Sequence, residues 1–306
     1  MLSSNLLKNC KLCPRECGVN RLDGQIGYCG IANGIKVSKA FLHFWEEPCI
    51  SGNKGSGTVF FSGCNMGCVF CQNYEISIMR YGVFIDTEKL SKIFLNLQKQ
   101  NAENINLVTP TIYIPYIIDA IDLAKRNGLN IPIVYNTSSY EKPEVIEILK
   151  GYVDVFLPDL KYYSDSVAIE YSNAPKYFEY ATKSILKMYE MVGDVKIEND
   201  IIKKGVIIRH LVLPMHTKDS IKVLEWISDN LKDKVMLSLM SQYYPAYKAK
   251  EFKEISRGLT QREYQKVVDY AYQKGLHFGF IQDSSSSSSE YTPKFDLEGI
   301  NTREEN

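Results

Sequence analysis

Three of the eight cysteines in this chain follow one another at short spacing, as Cys64-Asn-Met-Gly-Cys68-Val-Phe-Cys71. Thiolates are the usual protein ligands of iron–sulfur clusters, and a fully ligated [4Fe–4S] cube normally takes four cysteines. Three cysteines therefore predict a cube with one iron left open for a substrate, by the logic of an open catalytic metal site. The alternatives are a zinc knuckle or a set of buried thiols, although three cysteines without a fourth nearby make a poor closed zinc site.

A second set of four cysteines lies near the N-terminus with the spacing C-x2-C-x3-C-x11-C. Its members are Cys10, Cys13, Cys17 and Cys29. Four thiols with a distant closing member fit a structural zinc site or a second iron–sulfur cluster, and the sequence does not separate the two. Four unliganded thiols are the third alternative. Cys49 is left over and is predicted to be a free buried thiol.

These cysteines need a scaffold, and from residue 58 onward the chain alternates short apolar runs with longer helical patterns. The expected strands are 58–62, 105–109, 132–136, 153–158, 206–212, 235–240 and 277–281. The expected helices include 87–100, 117–127, 220–231 and 261–274, the last with a capping box from Thr260 and Glu263. The alternation predicts an α/β fold with a parallel sheet, as a barrel or partial barrel rather than an open sheet. Cys64 then begins the loop after the first barrel strand, at the end where such folds place their chemistry.

The chain is expected to have two parts. Residues 1–55, rich in cysteine, glycine and turn formers, are predicted to be a small loop-dominated, cysteine-rich segment. Residues 56–306 are predicted to form the barrel with a C-terminal loop segment. Six consecutive serines at 284–289 predict a flexible loop within that second part.

The cysteine motif, with the aromatic Phe70 before its third cysteine, resembles that of radical S-adenosylmethionine (SAM) enzymes. Two longer stretches, 41–51 and 60–77, resemble the pyruvate formate-lyase activating enzymes and their uncharacterised homologues. The resemblance implies a partial (β/α)6 TIM-like barrel and a [4Fe–4S] cluster whose open iron binds the amino and carboxylate groups of SAM, with Phe70 near the adenine. It also implies reductive cleavage of SAM to methionine and a 5′-deoxyadenosyl radical, with electrons from flavodoxin or ferredoxin.

Residues that follow the later strands extend the resemblance toward SAM binding. Asp159 and Lys161 are similar to an Asp-x-Lys that helps hold SAM in the activases, and Arg209 resembles an arginine on the following strand. The same resemblance places Asn136 near the ribose. Each has an ordinary alternative: a surface ion pair for Asp159 and Lys161, a pairing within the barrel for Arg209, and a turn residue for Asn136.

One segment departs from the family pattern. The family often carries Gly-Gly-Glu at the end of the second strand, where the backbone receives the amino group of SAM, and this chain has Val108-Thr109-Pro110-Thr111 instead. Hydroxyl and carbonyl oxygens of Thr109 and Thr111 are expected to supply the acceptors. The departure weakens any transfer of substrate identity from the well-studied activases, but it leaves the cluster assignment unchanged.

Charge and hydropathy argue against some partners. Lys and Arg number 36, as do Asp and Glu, so the formal net charge is zero and no basic stripe points to nucleic acid. No apolar run approaches the roughly 18–20 residues that span a bilayer, and no secretory signal is visible, so a cytoplasmic location without membrane contact is expected. Of the four histidines, only His216 is expected near the site, since it follows a strand end.

Three function classes are left open by the sequence. The first is an activase that places a glycyl radical on a partner enzyme. The second is a radical SAM enzyme that acts on a small molecule or another peptide, and the third is a non-catalytic zinc-binding protein. The overall resemblance favours the first class.

Overall fold

The structure, a computed structural model, describes residues 2–282 and 293–300, so the serine run at 284–289 lies outside the described residues. The strands within these ranges are β1 Ile35–His43, β2 Ser56–Phe61, β3 Val83–Ile85, β4 Ile105–Val108, β5 Ile133–Thr137, β6 Val155–Pro158, β7 Lys196–Glu198, β8 Ile201–Leu211, β9 Met236–Met240 and β10 Gly279–Ile281. The α-helices are α1 Leu2–Lys8, α2 Pro48–Ser51, α3 Tyr74–Ser77, α4 Thr87–Lys99, α5 Ile114–Arg126, α6 Pro143–Ile146, α7 Asp165–Ser172, α8 Tyr177–Val192, α9 Thr217–Leu231 and α10 Gln261–Gln273. None of the helices in these ranges is long and apolar enough to cross a membrane.

Parallel strands form the middle of one sheet. The strands pair in the order β10-β9-β8-β6-β5-β4-β2-β1-β3, and β7 pairs with β8. In this order, every neighbouring pair from β10 to β2 is parallel, whereas β1 is antiparallel to both β2 and β3. Six of the parallel strands correspond to the predicted (β/α)6 partial barrel, and the three-residue strand β10 is added beyond β9. The predicted α/β fold class is confirmed.

The N-terminal segment contributes more regular structure than its composition predicts. It contains β1, nine residues long, which pairs with β2 from Val37 opposite Phe61 to His43 opposite Ser56. The chain then enters α2, which packs against β8. The predicted loop-dominated segment therefore adds a strand to the main sheet, because the mostly buried residues of β1 require a partner surface. The boundary at residue 55 stays a prediction.

Two groups of buried apolar residues lie on the two faces of the parallel strands, as the alternation of side chains along a strand requires. One group joins β5, β6, β8 and β9 to α2 and consists of Cys49, Ile50, Val134, Val155, Leu157, Ile202, Ile207 and Met236. The larger group joins the other face of the strands to the surrounding helices. Cys49 is buried as predicted, and burial raises the pKa of its thiol to about 12.

The predicted capping box begins α10. Thr260 Oγ1 accepts a hydrogen bond from the Glu263 N–H at 3.3 Å, and a Glu263 carboxylate oxygen accepts one from the Thr260 N–H at 3.0 Å. The same carboxylate accepts the Met215 N–H at 2.8 Å. The cap therefore also ties the start of α10 to the loop between β8 and α9.

Replacing Thr260 with alanine is expected to lower the free energy of unfolding by about 1 kcal/mol, because the first turn of α10 loses its side-chain acceptor. Urea denaturation of matched preparations would measure the change. Thr260→Ser keeps the hydroxyl and serves as the control. Equal stability of Thr260→Ala and the unmodified protein would show that the cap contributes nothing.

Candidate active site

Cys64, Cys68 and Cys71 lie in the loop that follows β2, at the C-terminal end of that strand. Their side chains line one cavity, which is partly open to solvent. Gly63 turns the chain into this loop with a φ of 81°, and a β-carbon there would lie 2.9 Å from the Cys29 carbonyl oxygen. Only glycine fits at that point, because both the conformation and the space exclude a side chain.

Each of the three sulfurs lies within hydrogen-bond distance of a neighbouring group. The pairs are the Met66 N–H with Cys64 Sγ at 3.4 Å, Ser172 Oγ with Cys68 Sγ at 2.9 Å, and Ser77 Oγ with Cys71 Sγ at 3.2 Å. Contacts of this kind orient metal ligands and tune the reduction potential of a bound cluster. Burial raises the pKa of all three thiols, and a bound metal centre would stabilise their thiolates.

The number of thiols at this cavity fits a cube with one open iron. Cys64, Cys68 and Cys71 line it, and none of the other described residues that line it is a cysteine or a histidine. A closed structural zinc site takes four such ligands, whereas three cysteines leave one iron of a [4Fe–4S] cube open. The residues present therefore favour the cube over the zinc knuckle.

A largely buried charge network forms another part of the cavity wall. Lys161 Nζ lies 2.6 Å from Asp159 Oδ2, and Arg209 Nε lies 3.2 Å from Asp159 Oδ1. Arg209 Nη2 also donates a hydrogen bond to Asn136 Oδ1 at 2.9 Å. Burial opposes ionisation of Asp159, but the two cations outweigh it and hold the pKa of its carboxyl below the ordinary value. All four predicted residues line the cavity, and the Asp159–Lys161 pair lies in its wall rather than on the outer surface, with 14% and 18% of the two side chains exposed.

Two acidic residues that the sequence analysis did not assign hold the other side of Arg209. Arg209 Nη1 lies 3.0 Å from Glu46 Oε2 and 3.9 Å from Glu47 Oε2. Both carboxylates are buried and immediately precede Pro48, the first residue of α2. The sequence carried one signal for these residues, an acidic pair within the largely apolar stretch 41–51. Carboxylates in such a stretch indicate a buried cationic partner, because they are rarely buried unless they are paired.

The two threonines of the departing segment lie in different places. Thr109 lines the cavity with a φ of 60°, a conformation that a β-branched residue rarely adopts, and its N–H donates to the Asn136 carbonyl oxygen at 3.0 Å. Strain of this kind is often found at functional sites. Thr111 does not line the cavity, because its hydroxyl donates to Glu141 Oε1 at 2.6 Å. The expected pair of acceptors is therefore corrected to Thr109 alone.

Glu141 is a third buried acidic residue that the sequence did not predict. Its Oε1 also accepts hydrogen bonds from the Thr137 hydroxyl at 2.6 Å and the Tyr135 hydroxyl at 3.2 Å. Burial raises the pKa of this carboxyl to about 7, although the hydroxyl donors act in the opposite direction. Glu141 therefore links the 3-10 turn after β4 to strand β5, beside the cavity residue Thr137.

The remaining cavity wall is mostly apolar. Phe70 lies there, with its ring centroid 5.8 Å from that of Tyr243 in an edge-on contact. The other apolar side chains of the wall are Met66, Ile76, Val108, Leu211 and Met240. A cavity with thiols, a charge network and an aromatic, apolar wall suits a ligand that carries both charged groups and a flat ring.

A family model, described as the Radical SAM superfamily, matches residues 58–227, more than half of the chain. The chain belongs to the Radical SAM superfamily. The family implies a [4Fe–4S] cluster and SAM, and the cavity fits both: three thiols surround it, and charged, polar and apolar groups line the rest.

Several known proteins resemble this radical SAM enzyme. Uncharacterized protein MJ0674 of Methanocaldococcus jannaschii is 34% identical over 285 residues, which are 90% of this chain and 78% of that protein. A pyruvate formate-lyase-activating enzyme of Clostridium pasteurianum is 28% identical over 207 residues, 65% of this chain and 80% of that protein.

Two solved structures show a more distant likeness. Methylornithine synthase is 14% identical, with a TM-score of 0.48 over 71% of this chain and 60% of that chain. SuiB of Streptococcus suis bound to SAM is also 14% identical, with a TM-score of 0.47 over 72% of this chain and 48% of that chain.

The histidines lie outside the cavity wall of the radical SAM enzyme. His216, expected near the site, has its Nε2 3.0 Å from the Tyr171 hydroxyl and does not line the cavity. His210 is buried with its Nδ1 2.6 Å from the Leu160 carbonyl oxygen. His43 lies 3.9 Å from Glu46, and burial together with the nearby Arg209 lowers the pKa of its ring to about 4.

The four N-terminal cysteines surround a separate small cavity. Cys10, Cys13 and Cys29 are buried, and Cys17 is exposed. The structure thus brings together all four residues of the predicted second metal site.

Ser77→Ala is expected to lower the reduction potential of the cluster at Cys64, Cys68 and Cys71. A hydroxyl that donates to a thiolate sulfur stabilises the reduced, more negative form of a cluster. A redox titration would measure the shift, with the reduced cluster monitored through the EPR signal that SAM perturbs. Ser77→Thr retains a hydroxyl and should stay near the unmodified protein. An unchanged potential in Ser77→Ala would mean that this contact does not act on the cluster.

Proposed function

We propose that this radical SAM enzyme is an activating enzyme that generates a glycyl radical on a partner enzyme. The observation that carries the proposal is the similarity to the pyruvate formate-lyase-activating enzyme of Clostridium pasteurianum, which extends over 80% of that protein's length. A low-potential electron donor, flavodoxin or ferredoxin, and a glycyl-radical enzyme are the partners that this function requires.

Cys64, Cys68 and Cys71 would hold the cluster in this function, and their number leaves one iron without a protein ligand. When bound, the cluster supplies the electron that cleaves SAM reductively to methionine and a 5′-deoxyadenosyl radical. The protein contributes orientation, and its apolar wall limits the access of water to the site.

The charge network would position SAM beside the cluster. Lys161 and Arg209 present cationic groups suited to a carboxylate, and both are held in place by Asp159. Asn136 and Ser138 place polar groups in the same wall, where ribose hydroxyls can be recognised. Phe70 and the apolar side chains near it offer the surface on which an adenine can pack.

A cavity that adjoins the first supports a protein-sized substrate. It shares Arg209, Met240 and Gln242 with the first cavity, and its other lining residues are Ser238 and residues 45–48 and 280–282. It therefore lies between β10 and the segment that follows β1. A loop of a partner enzyme could reach the SAM cavity by this route.

Anaerobic reconstitution, reduction with dithionite and quantification of 5′-deoxyadenosine would test the radical mechanism. Cys68→Ala should abolish the product. Asp159→Asn should raise the KM for SAM about tenfold, because Lys161 and Arg209 lose the carboxylate that positions them; this factor corresponds to about 1.4 kcal/mol of binding free energy. Asp269→Asn, on the exposed face of α10, is the matched control and should behave as the unmodified protein. Product formation by Cys68→Ala at the normal rate would contradict the cluster assignment.

Co-incubation with a purified pyruvate formate-lyase would test the activase function. The expected result is a glycyl-radical EPR signal on the partner, formed in proportion to 5′-deoxyadenosine. If 5′-deoxyadenosine forms without a glycyl radical, and a small metabolite or another peptide stimulates its formation, the protein belongs to the second function class. That outcome would reject the activase and retain the radical mechanism.

A further inference from the structure

The N-terminal cysteines are brought together by a tight turn. The Cys10 N–H donates to the Val19 carbonyl oxygen at 3.0 Å, and the Gly18 N–H donates to the Cys10 carbonyl oxygen at 3.0 Å. The Tyr28 N–H, from the segment that carries the fourth cysteine, donates to Cys17 Sγ at 3.4 Å. The backbone of both segments thus brings four thiols to one cavity, and no carboxylate lines it.

A buried guanidinium faces the same cavity. Arg21 is fully buried, its Nε donates to the Ala32 carbonyl oxygen at 2.9 Å and its Nη1 to the Ile112 carbonyl oxygen at 2.6 Å. Its Nη2 is buried without a hydrogen-bond partner, and no carboxylate pairs with it among the residues that the structure describes. A buried cation without an anion is strongly unfavourable, so the position of Arg21 indicates that negative charge is present in the cavity.

We propose that Cys10, Cys13, Cys17 and Cys29 hold a second [4Fe–4S] cluster whose negative charge is balanced by Arg21. Four thiolates around such a cluster carry net negative charge, which supplies the missing partner of the guanidinium. The unpartnered Nη2 of Arg21 supplies a hydrogen-bond donor to a cluster sulfur or a thiolate. Neutral, unliganded thiols would leave Arg21 without a counter-ion.

The position of the site favours a cluster over zinc. A tetrathiolate zinc ion would also be anionic, but zinc has no redox chemistry. Cys29 lines a cavity together with Cys64 of the first site, so a redox-active group at the N-terminal site would lie where it can pass electrons to the first cluster.

The second site adjoins the first. Cys29 and Cys64 line the same cavity, and a β-carbon on Gly63 would lie 2.9 Å from the Cys29 carbonyl oxygen. Cys17 is exposed, so the second site also reaches the surface. This position suits the entry of electrons. As an entry point for electrons, the cluster at the N-terminal site would be reduced by one electron. A low-potential one-electron donor protein would be oxidised by one electron, and no bond would form or break.

Metal analysis of the full chain with Cys64, Cys68 and Cys71 all replaced by alanine tests the proposal independently of the proposed activity. After anaerobic reconstitution we expect about four irons per chain and the EPR signal of a reduced [4Fe–4S] cluster, against about eight irons in the unmodified protein. About one zinc per chain without iron, or neither metal, would overturn the proposal. Cys49→Ala, a buried cysteine outside both sites, should keep about eight irons.

Arg21 variants test the charge balance separately. In the triple-alanine background, Arg21→Gln should lower the reduction potential of the remaining cluster, because the nearby positive charge favours the reduced form. Arg21→Lys should restore most of the shift. If Arg21→Gln does not fold, the iron content of Cys17→Ser in the same background tests the site instead, and loss of the cluster is expected. Equal reduction potentials with Arg, Gln and Lys at position 21 would contradict the role of Arg21. Full iron retention in Cys17→Ser would contradict the role of Cys17 as a ligand.

Discussion

The guanidinium of Arg209 is the point on which the architecture of the cavity depends. It is largely buried, with 17% of its side chain exposed, and it contacts groups from three other parts of the chain: Asp159 after β6, Asn136 on β5 and Glu46 before α2. A buried cation of this kind is tolerated only when its partners are in place, and removal of one partner leaves uncompensated charge. The segment that follows β1 brings its carboxylates beside Arg209, so the pairing of β1 with the main sheet also places the partners of this guanidinium.

The same network connects the fold to the chemistry. Arg209 and Lys161 keep Asp159 ionised, and Asp159 in turn holds both cations at the cavity wall. The three cysteines lie on the same cavity, where burial disfavours free thiolates. Cations near the thiols ease the accumulation of negative charge when a metal centre binds, as the influence of Lys161 on the Cys68 thiol indicates. The cavity is therefore electrostatically prepared for an anionic cluster and a zwitterionic ligand.

Local sequence signals predicted much of this arrangement. The spacing of Cys64, Cys68 and Cys71 and the apolar runs of the parallel strands depend on neighbours in the chain, and the structure has them close to the predicted positions. The capping box of α10 is likewise local. Asp159, Lys161 and Arg209 could be placed only through the resemblance to a family, because nothing in their own segments shows that they meet.

The parts that the sequence did not predict depend on long-range contacts or on single-residue geometry. Glu46 and Glu47 become recognisable as site residues only when Arg209, more than 160 positions later, is seen beside them. Thr111 begins a 3-10 turn and points to Glu141, whereas Thr109, two residues earlier, reaches the cavity. No periodicity distinguishes these two positions. Strand β1 was not predicted, because it lies in a segment whose cysteine and glycine content indicated loops.

The central claim is that Cys64, Cys68 and Cys71 hold a cluster with one iron open to SAM. Electron–nuclear double resonance on the reduced protein, with SAM labelled by ¹⁵N at its amino group and ¹⁷O at its carboxylate, tests this claim directly. The account predicts hyperfine coupling from both labels, because both groups would bind the open iron, and a fully ligated second cluster would show none. Absence of coupling from a reduced, cluster-loaded protein saturated with SAM would contradict the account.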